Sequence, residues 1–209
     1  MILICLIIFG ISLLYFFLTE RVKKFIGILV LQGLLLFIIA FINLNNIIIT
    51  GFILILMETL LVKAILIPWF INKLRIKNDF KKVHECRVPV FFSVLITGAV
   101  IILSFIAGYF IDNPVIQLKF FTIALSTIVG GIYFIIIHKN IFSHLVGLLI
   151  IENGVFLFTL AVGGEFPFLV SMAVLIDLLI AVIAIGIFIN KIGNTFKDMS
   201  VTSLTGLKD

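Results

Sequence analysis

The feature that most constrains this chain is a series of seven long apolar runs, at about 1–18, 25–42, 47–71, 89–111, 115–137, 141–162 and 167–190. Each is close to the roughly 20 residues a helix needs to cross the hydrocarbon core of a bilayer. The runs are unbroken rather than alternating, so they do not suit the strands of a barrel, and lipid tolerates no unpaired backbone groups. Between them lie segments with turn chemistry and charge: Asn43-Leu44-Asn45-Asn46, Asp112-Asn113-Pro114, His138-Lys139-Asn140 and Gly163-Gly164-Glu165-Phe166-Pro167. The expected fold is therefore all-α, a polytopic membrane bundle of seven transmembrane helices.

Composition points the same way. Of 209 residues, 63% are hydrophobic and only 12% charged, and the mean hydropathy is +1.40. An ordinary soluble domain is nearer half apolar and a quarter charged, which excludes a cytosolic enzyme and a disordered chain. Residues 1–18 have no basic segment ahead of their apolar run, and Arg21, Lys23 and Lys24 follow it instead. That pattern predicts a retained first span rather than a cleaved signal peptide. Cys5 and Cys86 fall on opposite sides in this topology, so no disulfide or metal framework is expected.

Basic residues set the expected direction. Arg21, Lys23 and Lys24 follow span one. Lys73, Arg75, Lys77, Lys81, Lys82 and Arg87 follow span three, Lys139 follows span five, and Lys191, Lys197 and Lys208 follow span seven. Only Lys119 falls on the other side, and Lys63 is inside a span. The positive-inside rule then puts the N-terminus outside and the C-terminus in the cytoplasm. Insertion and anionic lipid account for the net charge of +5, so membrane lipid is an expected partner and nucleic acid is not.

Spans one to three resemble spans five to seven in outline. Phe25-Ile26-Gly27-Ile28-Leu29-Val30-Leu31-Gln32 lies over Leu145-Val146-Gly147-Leu148-Leu149-Ile150-Ile151-Glu152, Glu58 lies over Asp177, and Asn72 over Asn190. The two copies run in the same direction, a parallel repeat of the kind transporter folds use. The chain divides into a three-helix unit at 1–73, a basic cytoplasmic loop and linker helix at 74–114, a second three-helix unit at 115–191 and a cytoplasmic tail at 192–209.

Four ionisable residues sit inside spans: Glu58 and Lys63 in span three, Glu152 in span six and Asp177 in span seven. Gln32 is a fifth polar position at similar depth. A charge at mid-bilayer costs a few kcal/mol on insertion scales, so each needs a reason. As an α-helix, span three would place Glu58 and Lys63 about 140° apart, which sends at least one of them to another helix or subunit for a partner. The acids could be protonated packing groups. Burial opposed by a neighbouring cation is also what a proton-transfer group needs, and three acids at one depth, together with a lysine nearer the cytoplasmic end of span three, favour that role. His144, eight residues before Glu152, is a candidate proton entry point that only waters could link to it. Trp69 fits an interfacial anchor, Gly130-Gly131 close helix packing and Gly163-Gly164 a turn. No cofactor or metal motif is expected within this chain.

These residues resemble a family. The segment 115–191, with Gly147-Leu148-Leu149-Ile150-Ile151-Glu152-Asn153 in its middle span and Asp177 in its third, is similar to NuoK, the small three-helix subunit of respiratory complex I. It is likewise similar to MrpC of multisubunit cation/proton antiporters. The full chain, with four preceding helices and the Leu204-x-x-Leu207-Lys208 tail, resembles the HyfE-type membrane subunit of energy-converting [NiFe] hydrogenase and formate hydrogenlyase complexes. The resemblance implies a non-catalytic subunit of an oxidoreductase complex in the prokaryotic cytoplasmic membrane, with proton-transfer roles for Glu152 and Asp177. It also implies antiporter-like membrane neighbours and a soluble hydrogenase arm that holds the nickel-iron and iron-sulfur centres. Two departures are that the second acid is Asp177 rather than glutamate, and that Gln32 stands in the first repeat where Glu152 stands in the second. A cation/proton antiporter subunit and a purely structural subunit are the alternatives.

Overall fold

The computed structural model describes residues 1–43, 57–77, 87–111 and 116–162, and in isolation 179, 183, 186 and 187. The described part is all-helical. In chain order it contains α1 (Ile2–Leu18), α2 (Val22–Asn43), a π-helical segment π1 (Met57–Leu66) running into α3 (Ile67–Lys77), α4 (Val90–Tyr109), α5 (Leu118–Ile137) and α6 (Ile141–Ala161). Four of these, α2, α4, α5 and α6, are long and apolar enough to cross a membrane, and α1 is a shorter apolar helix of 17 residues. The predicted seventh span and the first part of the third lie outside the described residues.

Boundaries follow local chemistry. Asn140 opens α6, its side chain accepting a hydrogen bond from the Phe142 amide at 2.9 Å, and so satisfies one of the amides a helix start leaves without a partner. Pro89 precedes α4, where its missing N–H costs nothing. The sequence predicts an α-helical third span ending near residue 71, and the structure differs on both points. Met57–Leu66 is π-helical, and the helix continues to Lys77. The change from π to α falls just before Pro68, which has no N–H to continue either ladder.

Burial along α4 runs opposite to that of a helix in a water-soluble bundle. α4 turns Ser93, Thr97, Ser104 and Gly108 inward against α1 and α5, and exposes Phe91, Leu95, Ile102, Leu103 and Phe105. Thr97 and Ser104 donate their hydroxyl protons to the carbonyls of Ser93 and Val100, both at 2.8 Å. Small side chains inside and large apolar ones outside suit a helix whose outer solvent is lipid. The chain is a multi-pass membrane protein by this pattern.

The interior has two apolar layers. One gathers Phe16 and Phe17 of α1, Phe25 of α2, Ile67 and Ile71 of α3, Phe134 of α5 and Phe142 and Leu145 of α6. The Phe134 ring stands edge-on to Phe17 and Phe25, with centroids 5.6 Å away in each case. The other gathers Leu6 and Phe9, Leu36 and Ile39, Phe120 and Ala124, and Leu157 and Leu160. The Arg87 amide donates to the Ile137 carbonyl at 2.8 Å, tying the start of α4 to the end of α5. Arg21, Lys24, Lys73, Arg75, Arg87 and Lys139 thus gather at the end of the first layer, and Lys119 stands at the other. Trp69 is 62% exposed with Lys73 over its ring at 5.3 Å, the arrangement of an amphipathic anchor.

Backbones touch where glycines allow it. A Cβ on Gly131 would lie 3.0 Å from both the Gly147 carbonyl oxygen and the Ile151 amide nitrogen, and one on Gly154 would lie 2.9 Å from the Ile128 amide nitrogen. Gly33 brings α2 onto π1 in the same way, with Ala64 Cα 3.1 Å from where a Cβ would stand. The close packing expected at Gly130-Gly131 is present. The Gly163-Gly164 turn lies outside the described residues.

Candidate functional site

Between the two apolar layers lies a polar one. Lys63 of π1 places its ε-ammonium 3.6 Å from Oε1 of Glu152 on α6, with the two side chains only 4% and 16% exposed. The same ammonium stands 4.8 Å from the centroid of the Phe156 ring, one helical turn beyond Glu152. A buried charge needs a partner of opposite sign, and a π-face adds to that attraction. Lys63 therefore turns inward, to an acid of its own chain. Its partner is on another helix, although the angular premise of the sequence argument does not apply here. A π-helix pairs i with i+5, so positions 58 and 63 belong to one side of π1 rather than to faces about 140° apart.

One helix, α2, brings the pair together. Gly33 lets π1 rest on α2, and α2 also packs on α6. Leu29, Lys63, Ile67, Leu149, Glu152 and Asn153 line a small cavity, about 10 Å³, at the meeting of these helices. That is about the space of one water molecule, and the charged and amide groups give such a water several partners.

On the far side of Asn153 the polar layer continues. Asn153 Nδ2 donates to Gln32 Oε1 at 3.0 Å, Gln32 Nε2 donates to Ser12 Oγ at 3.0 Å, and Ser12 Oγ donates to the Phe9 carbonyl at 2.6 Å. All three side chains are buried. Sequence reasoning singled out Gln32 but passed over Ser12 and Asn153, which are uncharged and so cost too little in lipid to stand out. Their signal is the same as that of Gln32, a neutral polar side chain at mid-span, and Asn153 is also next to Glu152.

The other predicted site residues are placed differently. Asp177 lies outside the described residues, as does the side chain of Glu58. His144 is not aimed at Glu152. Its Nε2 donates to the His138 carbonyl at 2.9 Å and braces the turn between α5 and α6. His138 is buried, packs on the Phe134 ring with centroids 4.1 Å apart, and donates from Nδ1 to the Phe134 carbonyl at 2.9 Å. Burial lowers its pKa below the ordinary 6.5, the Phe134 carbonyl opposes this, and the nearby His144 lowers it further.

A lowered folded value carries a definite sign. The unfolded chain binds more protons than the fold below about pH 6.5, so stability is intact above that pH and is lost as pH falls through the folded value. Thermal unfolding in detergent at pH 7.5 and 5.0 should therefore show a loss for the wild type that shrinks in His138→Gln. Equal losses would remove His138 as the cause.

Among the described residues, no cluster of three or more metal-ligating side chains is present. What the layer offers is a carboxylate and an ammonium at interaction distance, a water-sized space beside them and an amide chain behind them. Comparison with known proteins finds no matching family model and no significant match to a curated protein or to a solved structure.

Proposed function

We propose that this chain is a non-catalytic membrane subunit of a hydrogenase-like, complex I-related assembly, and that it takes part in proton translocation through its buried layer. In this reading it has seven spans, with the N-terminus outside and the C-terminus in the cytoplasm of a prokaryotic cell. The observation that carries the proposal is the Lys63–Glu152 pair beside a cavity of water size. A buried carboxylate opposed by an ammonium can release and regain a proton as the charge around it changes. Redox chemistry in a partner arm, where the nickel-iron and iron-sulfur centres would reside, changes that charge. Asp177 and Glu58 would extend the layer toward antiporter-like neighbours.

The test is proton translocation per turnover in the assembled complex. Glu152→Gln should remove most of it, because an amide does not take up and release a proton as a carboxyl does, and Asp177→Asn should lower it as well. Unchanged coupling in both variants would sink the proposal. Assembly failure with no separate coupling defect would point to a purely structural subunit, and sodium-dependent transport by the chain alone to an antiporter.

A further inference from the structure

Counting donor protons along Ser12, Gln32 and Asn153 fixes the direction of the chain they form. Ser12 has one hydroxyl proton, and it goes to the Phe9 carbonyl. Its oxygen can then only accept from Gln32, so the amide group of Gln32 must present nitrogen to Ser12 and oxygen to Asn153. Asn153 in turn must present nitrogen to Gln32. Each orientation follows from the one before, starting at a backbone carbonyl in α1 and ending on α6 at the residue after Glu152.

Such a chain is poorly suited to carrying protons. To relay one, each member must take a proton on one side and release another on the opposite side. An amide can do this only by passing through its imidic acid form, and the Phe9 carbonyl has no proton to release. The chain therefore ends at α1. What it can do is hold Asn153, and with it the part of α6 that carries Glu152, in one place against α2 and the π1 segment that brings Lys63.

We propose that Ser12, Gln32 and Asn153 are positioning residues for the Lys63–Glu152 pair, a one-way hydrogen-bond chain that sets the Glu152 carboxyl against Lys63 and admits no proton into α1. This rests on the reading of Glu152 as a titrating proton-transfer group. Among the described residues Lys63 is the charged group facing Glu152. Of the other titratable groups on the elements packed around α6, Lys23 and Lys24 stand in the first turn of α2 and Lys119 at the start of α5. Tyr133 stacks on Phe17, and α1 carries Cys5 and Tyr15.

The experiment is an infrared titration of the full chain in lipid nanodiscs, with the carboxyl band that disappears in Glu152→Gln assigned to Glu152. Ser12→Ala alters the far end of the chain, two hydrogen bonds from Asn153. It should move the midpoint of that band by about half a pH unit or more, the scale of one altered hydrogen bond, and Ser12→Thr should return it. Gln32→Leu should also move it and serves as the second variant. Midpoints that stay in place in both while the band still titrates overturn the positioning role, whatever happens to thermal stability. In the assembled complex, Ser12→Ala should displace the pH profile of translocation. Loss at every pH to the level of Glu152→Gln would make the chain a conductor and overturn the one-way reading. Absence of any band assignable to Glu152 would overturn the proton-transfer reading itself, and the positioning role with it.

Discussion

Replacing Lys63 by Met should destabilise the folded chain by about 3 to 5 kcal/mol, and replacing Glu152 by Gln in the same molecule should return most of that loss. The asymmetry comes from burial. The two side chains are 4% and 16% exposed, so removing one leaves the other as an uncompensated charge in a medium that solvates it poorly. Removing both charges leaves two groups of similar volume and no such penalty. Denaturant unfolding in mixed micelles over the four members of the cycle measures this directly. A double variant no more stable than Lys63→Met would show that the pair is not coupled in the fold. The same variant separates stability from function, since it should be well folded and still fail to couple proton movement to turnover.

The second large effect is steric. Gly147→Leu should cost more than about 3 kcal/mol or prevent recovery of folded protein, because it exceeds ordinary overpacking of a core. A Cβ at Gly147 would run into the Ile135 side chain and stand 3.2 Å from the Gly131 carbonyl oxygen, a backbone atom that cannot rotate away. Gly98→Ala is the control. Nothing lies within 4 Å of a Cβ there, and alanine suits a helix interior better than glycine by about 0.5 to 1 kcal/mol. Thermal unfolding should rank Gly98→Ala at or above wild type and Gly147→Leu far below it. Equal melting temperatures would mean that α5 and α6 do not meet backbone to backbone.

Much of the architecture can be read from the chain itself, and the reason is solvent. Apolar runs must be helical in lipid, so the described helices begin and end within a few residues of the predicted runs for α1, α2, α4, α5 and α6. The basic residues could be assigned to one end because charge stays out of the hydrocarbon, and among the described residues Arg21, Lys24, Lys73, Arg75, Arg87 and Lys139 flank helix ends on one side of the bundle. The third run shows where this reading stops. Hydropathy cannot distinguish an α-helix from a π-helix, since both bury the same side chains in lipid, and the angle between positions 58 and 63 depends on which one forms.

The candidate site was legible only as a set of isolated residues. Lys63, Glu152 and Gln32 stand out because a polar group costs free energy at that depth, and that cost belongs to each residue separately. Their partners do not stand out in the same way. Ser12 costs little anywhere in a helix, because its hydroxyl can bond its own backbone, and nothing local shows that Gln32 needs it. His144 has a partner of the same kind: the short turn after α5 brings the His138 carbonyl within reach of its Nε2, a contact that spacing along the chain does not reveal.

The sequence by itself determined that this chain lives in lipid, where its long apolar segments fall and which side chains are too polar to be there without cause. These are properties of the transfer of each residue from water to hydrocarbon, and they do not depend on neighbours. Only the tertiary structure decided that Lys63 meets Glu152, that the pair borders a water-sized cavity and that Ser12, Gln32 and Asn153 join three helices behind it. Pairing depends on which helices touch, and here that is set by glycines that let backbones meet over distances no side-chain pattern records.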